Sequence, residues 1–223
     1  CFYLDRVLGL DAPGTPGWTL NETTDILLKN EFDDCREKQI PHRLFESNGI
    51  ENIVPYKHKD IDKWRDSLHH GLKLRYKETN IILNGGIDDI WQDTITKKLI
   101  IVDYKSQAKY GTVCSKEYLD DPYHKGYKIQ MDFYAYLLNG MGFDVDSTSY
   151  FLVCNANRNK EKFNKVMMFD EYLVSYCWNS SWIENKIDEM ITLINQKQIP
   201  EPNESCKNCA YSNEYSKEVN RNI

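Results

Sequence analysis

The sequence has no apolar run approaching the roughly 18 residues of a membrane-spanning helix, and no signal peptide is recognisable at its start. These absences predict a cytoplasmic protein without a membrane partner. The net charge of −6 argues against a protein that coats nucleic acid by charge alone. The seven cysteines are odd in number and scattered, which argues against a disulfide framework. Internal repeats, heptad arrays and low-complexity tracts are also missing.

What the chain does contain is enough apolar material for a sizeable core. Hydrophobic residues make up 41% and aromatic residues 13% of the 223 residues, so disorder is not expected. A chain of this length fits one domain. We therefore predict a single domain over residues 1–223, in which residues 200–223 form a cysteine-containing C-terminal appendage.

Gly85–Lys105 predicts a β-hairpin around which the rest of the chain is organised. Ile87–Trp91 mixes β-branched and aromatic residues with carboxylates, and Leu99–Tyr104 is almost wholly apolar. Residues 93–98 between them are polar and suit a turn. If the strands pair symmetrically about that turn, position 90 faces 101 and position 88 faces 103.

This register predicts that Asp88 lies directly opposite Asp103. Like charges in opposite positions on a sheet are unfavourable, and a charge within an apolar strand is costly. A divalent cation held between the two carboxylates would remove both costs. The alternative is that Asp103 and Lys105, which share one face of the strand, form an ordinary solvated or salt-bridged strand edge.

Other segments predict the surrounding elements. Residues 72–84 look extended and lead into the hairpin, giving three or more strands. Apolar spacing predicts helices over 125–139 and from 170 to about 196. Strands are expected over 148–155 and 163–169, and Cys154 and Cys177 are expected to be core residues.

Three short motifs follow one another along the chain. A Gly-x-x-Asp ends at Asp88, an Asp-x-Lys spans Asp103 to Lys105, and a Gln-x-x-x-Tyr joins Gln130 to Tyr134. Their order resembles the PD-(D/E)XK nuclease superfamily, in its RecB-like and CRISPR-associated RecB-like exonuclease branch. The resemblance implies an α/β fold with a central mixed β-sheet flanked by helices, in the restriction-endonuclease-like αβββαβ order.

The resemblance also implies roles for these residues. Asp88 and Asp103, with the backbone carbonyl of Tyr104, would bind Mg²⁺ or Mn²⁺, and Lys105 would be catalytic. Gln130 and Tyr134 would face the site and position the DNA backbone. Asp25 matches a position where relatives commonly carry a metal-binding His. An Asp there departs from the pattern, although its oxygens suit a hard cation; a solvated helix carboxylate is the alternative.

A second metal site is suggested by Cys1, Cys206 and Cys209. Iron–sulfur members of the branch carry a Cys before the first helix and further Cys residues near the C-terminus. Three cysteines are one short of the four usual for an iron–sulfur cluster or structural Zn²⁺. A residue preceding Cys1 would have to supply the fourth, and a metal-free tail is the alternative.

The resemblance thus implies a metal-dependent deoxyribonuclease, exonuclease-like, acting in DNA repair, recombination or CRISPR and phage contexts, with a helicase or CRISPR-associated partner. Two other classes of function stay open. One is a catalytically silent nucleic-acid-binding subunit with the same fold, and the other is a metal or redox protein centred on the Cys-x-x-Cys.

Overall fold

A computed structural model describes residues 2–10, 14, 19–203 and 205–221 of the chain. They fall into two compact units, Trp18–Ser180 and Cys1–Gly17 with Ser181–Ile223. None of the helices in these described residues is long and apolar enough to cross a membrane.

The helices are α1 (Phe2–Leu8), α2 (Thr19–Lys38), α3 (Arg43–Ser47), α4 (Ile61–Arg65), α5 (Ser115–Asp120), α6 (Lys125–Gly140), α7 (Ile183–Asn195) and α8 (Lys207–Arg221), with a short 3₁₀ turn at Pro122–His124. The strands are β1 (Ile53–Pro55), β2 (Leu72–Arg75), β3 (Ile82–Gly85), β4 (Asp89–Asp93), β5 (Leu99–Gln107), β6 (Thr148–Ala156) and β7 (Phe169–Cys177).

The larger unit is built on a five-stranded sheet in the order β1-β4-β5-β6-β7. The β5–β6 pairing is parallel and the other pairings are antiparallel, so the sheet is mixed, as predicted. The parallel pair is joined through α6, because parallel neighbours need a long crossover connection. This arrangement confirms the predicted α/β class.

The strand that completes one edge of this sheet differs from the prediction. Residues 72–84 do form two strands, β2 and β3, but these pair only with each other in a separate sheet. The edge position beside β4 is taken by β1. A strand of three residues is too short to show the two-residue alternation of a sheet, so the sequence pattern did not reveal it.

Helices cover the two faces of the sheet. On one face, residues of α2 and α3 pack against alternate residues of β5, in a core that includes Phe32, Phe45, Val102 and Tyr104. On α6, Met131, Leu137 and Leu138 are fully buried, and α6 contacts β2, β3 and β5. Because β5 is covered on both faces, all its residues from Leu99 to Tyr104 are buried.

The chain after β6 also differs from the prediction. Residues 170–177, expected to begin a long helix, belong instead to β7, which pairs with the whole of β6. The helix is limited to α7, and the strand expected over 163–169 lies outside β7 except at Phe169. Without β7, the edge of β6 would have unpaired backbone N–H and C=O groups. The hydrogen bonds that β7 makes to this edge outweigh the local preference for a helix that the apolar spacing indicates. Cys154 is buried as predicted, whereas the prediction for Cys177 is wrong, since it is exposed.

The smaller unit contains α1, α7 and α8. Tyr3 of α1 is buried, and its hydroxyl donates to the carbonyl of Gln196, the residue that follows α7. None of the fifteen residues of α8 is buried. The predicted appendage over residues 200–223 is therefore part of a unit that also includes the first helix.

Candidate active site

Two carboxylates, those of Asp88 and Asp103, meet between the start of β4 and the middle of β5. Asp89 pairs with Val102, which is the register predicted from a turn at residues 93–98. The ladder ends at this pair, and Asp88 is the residue that immediately precedes β4. The backbone N–H of Tyr104 donates to Asp88 Oδ2 at 2.8 Å, which holds the Asp88 carboxylate beside β5.

The Asp103 side chain is buried with little to balance its charge. The residue is 1% exposed, and Lys105 Nζ forms an ion pair with its Oδ2. Beyond this ion pair and the adjoining carboxyl of Asp88, neither carboxylate oxygen of Asp103 has a hydrogen-bond partner. Burial first, and then the charge of Asp88, raise the pKa of Asp103 to about 8, although Lys105 opposes the shift.

These observations fit a divalent cation. Two carboxylates that repel each other, one of them buried and short of partners, would both be stabilised by a hard cation, for which carboxylate oxygens are suitable ligands. Across the part of the chain that the structure describes, no three His, Cys, Asp or Glu side chains gather into a metal-binding cluster. Mg²⁺ commonly uses one or two carboxylates and completes its shell with water and substrate phosphate.

Lys105 lies beside the two carboxylates. Its side chain is 17% exposed, and its ammonium donates to the Tyr104 carbonyl at 3.4 Å as well as pairing with Asp103. Its Nζ also lies 4.8 Å from the centre of the Tyr127 ring on α6, in cation–π contact. The Tyr104 carbonyl, an expected metal ligand, therefore has the lysine as its neighbour.

Asp25 lies near the site but is held by another residue. Its Oδ2 pairs with Lys29 Nζ at 2.7 Å, one turn along α2. Burial raises the pKa of Asp25; Lys29 opposes this, and the charge of Asp88 adds to it. The structure thus brings Asp25 within electrostatic range of Asp88 without forming a cluster of three carboxylates.

Gln130 and Tyr134 are on the same face of α6, as expected from their spacing of four. Gln130 Nε2 donates to the Tyr134 hydroxyl at 2.5 Å. Burial raises the pKa of Tyr134; Gln130 lowers it, and the charges of Asp103 and Asp88 raise it again, so the phenol lies within electrostatic range of the carboxylates. A Cβ at Gly85 would lie 3.0 Å from the Tyr134 ring, which explains a glycine at the start of the motif.

The sequence interpretation missed a buried charge cluster behind the site. Asp89 is completely buried and forms ion pairs with Arg36 of α2 and with Arg65, the last residue of α4. The Tyr104 hydroxyl donates to Asp89 Oδ2 at 2.8 Å. Asp33 pairs with the same two arginines. This cluster ties α2 and α4 to the strand residue next to Asp88.

A signal for this cluster was present in the helix pattern. Leu28, Phe32 and Arg36 are spaced by four and are the buried residues of α2. A cation on the apolar face of a helix predicts a buried acidic partner.

The basic turn between β6 and β7 is exposed and lies at the same end of β6 as the loop after β5. Arg158 donates to the carbonyl of Ala108, which follows β5, at 3.3 Å. Lys160, Lys162 and Lys165 are exposed in the same connection.

Of the three cysteines expected to bind metal, Cys1 lies outside the described residues. Cys206 precedes α8 and Cys209 is in its first turn. The backbone N–H and the thiol of Cys209 hydrogen-bond to Cys206 and lower the pKa of its thiol. The same contact raises the pKa of the Cys209 thiol. The two thiols are therefore in contact with each other.

A mixed sheet with a carboxylate at the start of one strand and an Asp-x-Lys on the next defines a class of metal-dependent nuclease folds. In agreement, a family model of the PD-(D/E)XK nuclease superfamily matches residues 12–213. The chain belongs to this superfamily. Comparison with curated proteins and with solved structures gave no match.

Proposed function

We propose that this chain is a nuclease that hydrolyses DNA phosphodiester bonds with Mg²⁺ or Mn²⁺. The observation that carries the proposal is the buried Asp103 carboxylate, which lacks sufficient partners and stands against Asp88 and Lys105. A catalytically silent binding subunit would have no use for this repulsion between carboxylates. Superfamily membership supports the same reaction class.

In the proposed site Asp88 and Asp103 would hold the cation, together with the Tyr104 carbonyl. When bound, a divalent cation polarises the phosphate and lowers the pKa of a bound water. Lys105 holds a positive charge beside Asp103, where negative charge develops on the phosphate during attack, and such pre-positioned charge stabilises the transition state. The ion pair with Asp103 and the Tyr127 ring keep the ammonium in place before DNA arrives.

Residues on α6 and in the basic turn would bind the DNA strand. Tyr134 and Gln130 form a hydrogen-bonded pair, and Tyr134 lies within electrostatic range of the carboxylates. The Tyr134 hydroxyl or the second amide N–H of Gln130 would donate to a phosphate oxygen. Lys160 and Lys162 would contact the backbone further along. The order of the three sequence motifs, with the Gln-x-x-x-Tyr after the Asp-x-Lys, supports the RecB-like branch. For a member of that branch we expect an exonuclease with a helicase or CRISPR-associated partner.

The second unit is proposed to carry a metal of its own. Cys206 and Cys209 already contact each other, and Cys1 would be a third ligand of an iron–sulfur cluster or of Zn²⁺. This site would stabilise the smaller unit, because its helix α8 has no buried residue of its own.

The deciding experiment is incubation of labelled single- and double-stranded DNA with Mg²⁺, Mn²⁺ or EDTA. We expect cleavage with either cation and none in EDTA. Asp103→Asn should abolish cleavage, whereas Asp34→Asn, at an exposed position of α2, should not change it. Cleavage at an undiminished rate in EDTA, or by Asp103→Asn, would overturn the proposal.

A further inference from the structure

A pocket lies in the loop after β5, at the end of the strand that carries Asp103 and Lys105. It has a volume of about 240 Å³, and Gln107, Tyr110, Cys114 and Tyr118 are among the residues that line it. This is smaller than the ~300–1,000 Å³ typical of pockets for drug-sized ligands. A pocket of this size suits one small group rather than an extended ligand.

The loop that forms the pocket is held in a defined shape. Asn155, at the end of β6, is 2% exposed and accepts a hydrogen bond from the backbone N–H of Lys109 at 2.9 Å. Its amide donates to the carbonyls of Lys109 and Gly111 at 3.1 and 3.4 Å. A buried side chain that makes three bonds to one loop fixes that loop before any ligand binds.

Tyr110 is the exposed aromatic residue of the pocket. It is 70% exposed, and the guanidinium of Arg158 lies 4.3 Å from its ring centre. Arg158 is itself held by the Ala108 carbonyl. An aromatic ring oriented by an arginine and otherwise open to solvent is a stacking surface for a planar group.

The pocket adjoins the catalytic groups. Gln107 is two residues beyond Lys105 on the same face of β5, a distance of about 6.6 Å along the strand. This is roughly the distance that two stacked nucleotides span along one nucleic-acid strand. The Tyr118 ring packs on Phe151, which is paired with Asp103 in the sheet. A strand with a phosphate beside Lys105 would therefore place a nearby nucleotide at the pocket.

The lining favours a base over a phosphate. Glu117 and Asp121 contribute carboxylates, and Lys109, the cation lining the pocket, is paired with Asp121 at 2.9 Å. Carboxylates repel phosphate but accept hydrogen bonds from the ring N–H and amino groups of bases, the N3–H of thymine included, and Gln107 can both donate and accept.

We propose that this pocket binds an unpaired nucleobase of the DNA strand next to the scissile phosphate, with the base stacked on Tyr110. The proposal deepens the proposed function and rests on it for the identity of the ligand as nucleic acid. It assigns to Tyr110 the selection of unpaired over duplex DNA near the site.

The test is binding of a short fluorescein-labelled oligothymidylate, followed by fluorescence anisotropy in EDTA. The full chain carrying Asp88→Asn is the background, because it should not cleave the probe. Adding Tyr110→Ala should weaken binding about 5- to 140-fold, the range corresponding to a base–aromatic stack of about 1–3 kcal/mol. Tyr110→Phe should retain binding. Tyr211→Ala, at a tyrosine of similar exposure in α8 (74%), should have no effect.

A blunt hairpin duplex of the same label distinguishes base stacking from backbone contact. Binding of the duplex should change less than twofold with Tyr110→Ala. Equal losses for both probes, no loss for oligothymidylate, or no binding of oligothymidylate by the background protein would each overturn the inference. Selective loss of oligothymidylate binding would support it even if the wild-type chain proved unable to cleave DNA, an outcome that would overturn only the proposed function.

Discussion

Asp88 and Asp89 are neighbours in sequence, yet we predict opposite consequences when each is changed to asparagine. Successive side chains of a strand point to opposite faces. Asp88 accordingly faces Asp103, whereas Asp89 faces the arginines of α2 and α4. Asp89→Asn should destabilise the fold, and Asp88→Asn should abolish cleavage while leaving the fold intact.

The expected loss for Asp89→Asn follows from the burial of its partners. The side chains of Arg36 and Arg65 are 3% and 7% exposed. Removing one partner from a buried ion pair typically costs about 3–5 kcal/mol. Asp33 remains to pair with both arginines, so the lower figure is the better expectation. At roughly 2–4 °C per kcal/mol for a chain of this size, the midpoint of thermal unfolding should fall by about 6–12 °C.

Asp88→Asn should behave differently because it removes a charge that disfavours the ionised form of Asp103 and that is not the partner of a buried cation. The asparagine oxygen can still accept the hydrogen bond that the Tyr104 N–H gives to Asp88. The charge of Asp88 also contributes to the raised pKa of Asp103, and this contribution would disappear. The free energy of unfolding should therefore stay within about 1 kcal/mol of wild type, or increase, as expected where no buried partner is left unpaired.

The assay is urea unfolding at pH 7 in EDTA, together with cleavage of labelled DNA in Mg²⁺. Glu37→Gln provides a control, since Glu37 forms an exposed pair with Lys57 at 2.9 Å and such pairs contribute about 0–1 kcal/mol. Equal destabilisation by Asp88→Asn and Asp89→Asn would refute the assignment of the two residues to different faces and roles. So would an Asp89→Asn protein as stable as the Glu37→Gln control.

Three further outcomes are expected. Lys105→Ala should slow single-turnover cleavage at saturating Mg²⁺ by on the order of 10²–10³, with calorimetric metal affinity nearly unchanged and poor rescue by Lys105→Arg; a rate within a few-fold of wild type would contradict this. Tyr134→Phe and Gln130→Ala should each weaken DNA binding with little change in unfolding midpoint, and unchanged affinity in both would argue against a DNA-positioning role. If the cysteine pair binds metal, Cys206→Ser and Cys209→Ser should each remove iron or zinc from anaerobically purified full-length protein and lower its unfolding midpoint. Elemental analysis that finds neither metal in the wild-type protein would show that Cys206 and Cys209 are ordinary thiols.

Local sequence determined the hairpin that presents the candidate site. A polar turn between two apolar segments defines which residues pair, and the two-residue period of a strand then places Asp88 opposite Asp103 and puts Lys105 on the same face. The spacing of four similarly placed Gln130 and Tyr134 together on α6. These relations depend on residues close in the chain, so the sequence contains all the information needed to derive them.

Relations between distant segments were decided only by the tertiary structure. β7 is a strand because the edge of β6 was available to pair with, although its apolar spacing suits a helix. The burial of Asp103 requires β6 beside it and α6 above it, and the Asp89 cluster requires α2 and α4 to meet behind β4. Contacts of this kind depend on which elements pack together. The resulting burial then sets the free-energy cost of leaving a charge without a partner. The sequence thus determined which residues share a face, while the packing decided that one aspartate is left short of partners and its neighbour is fully paired.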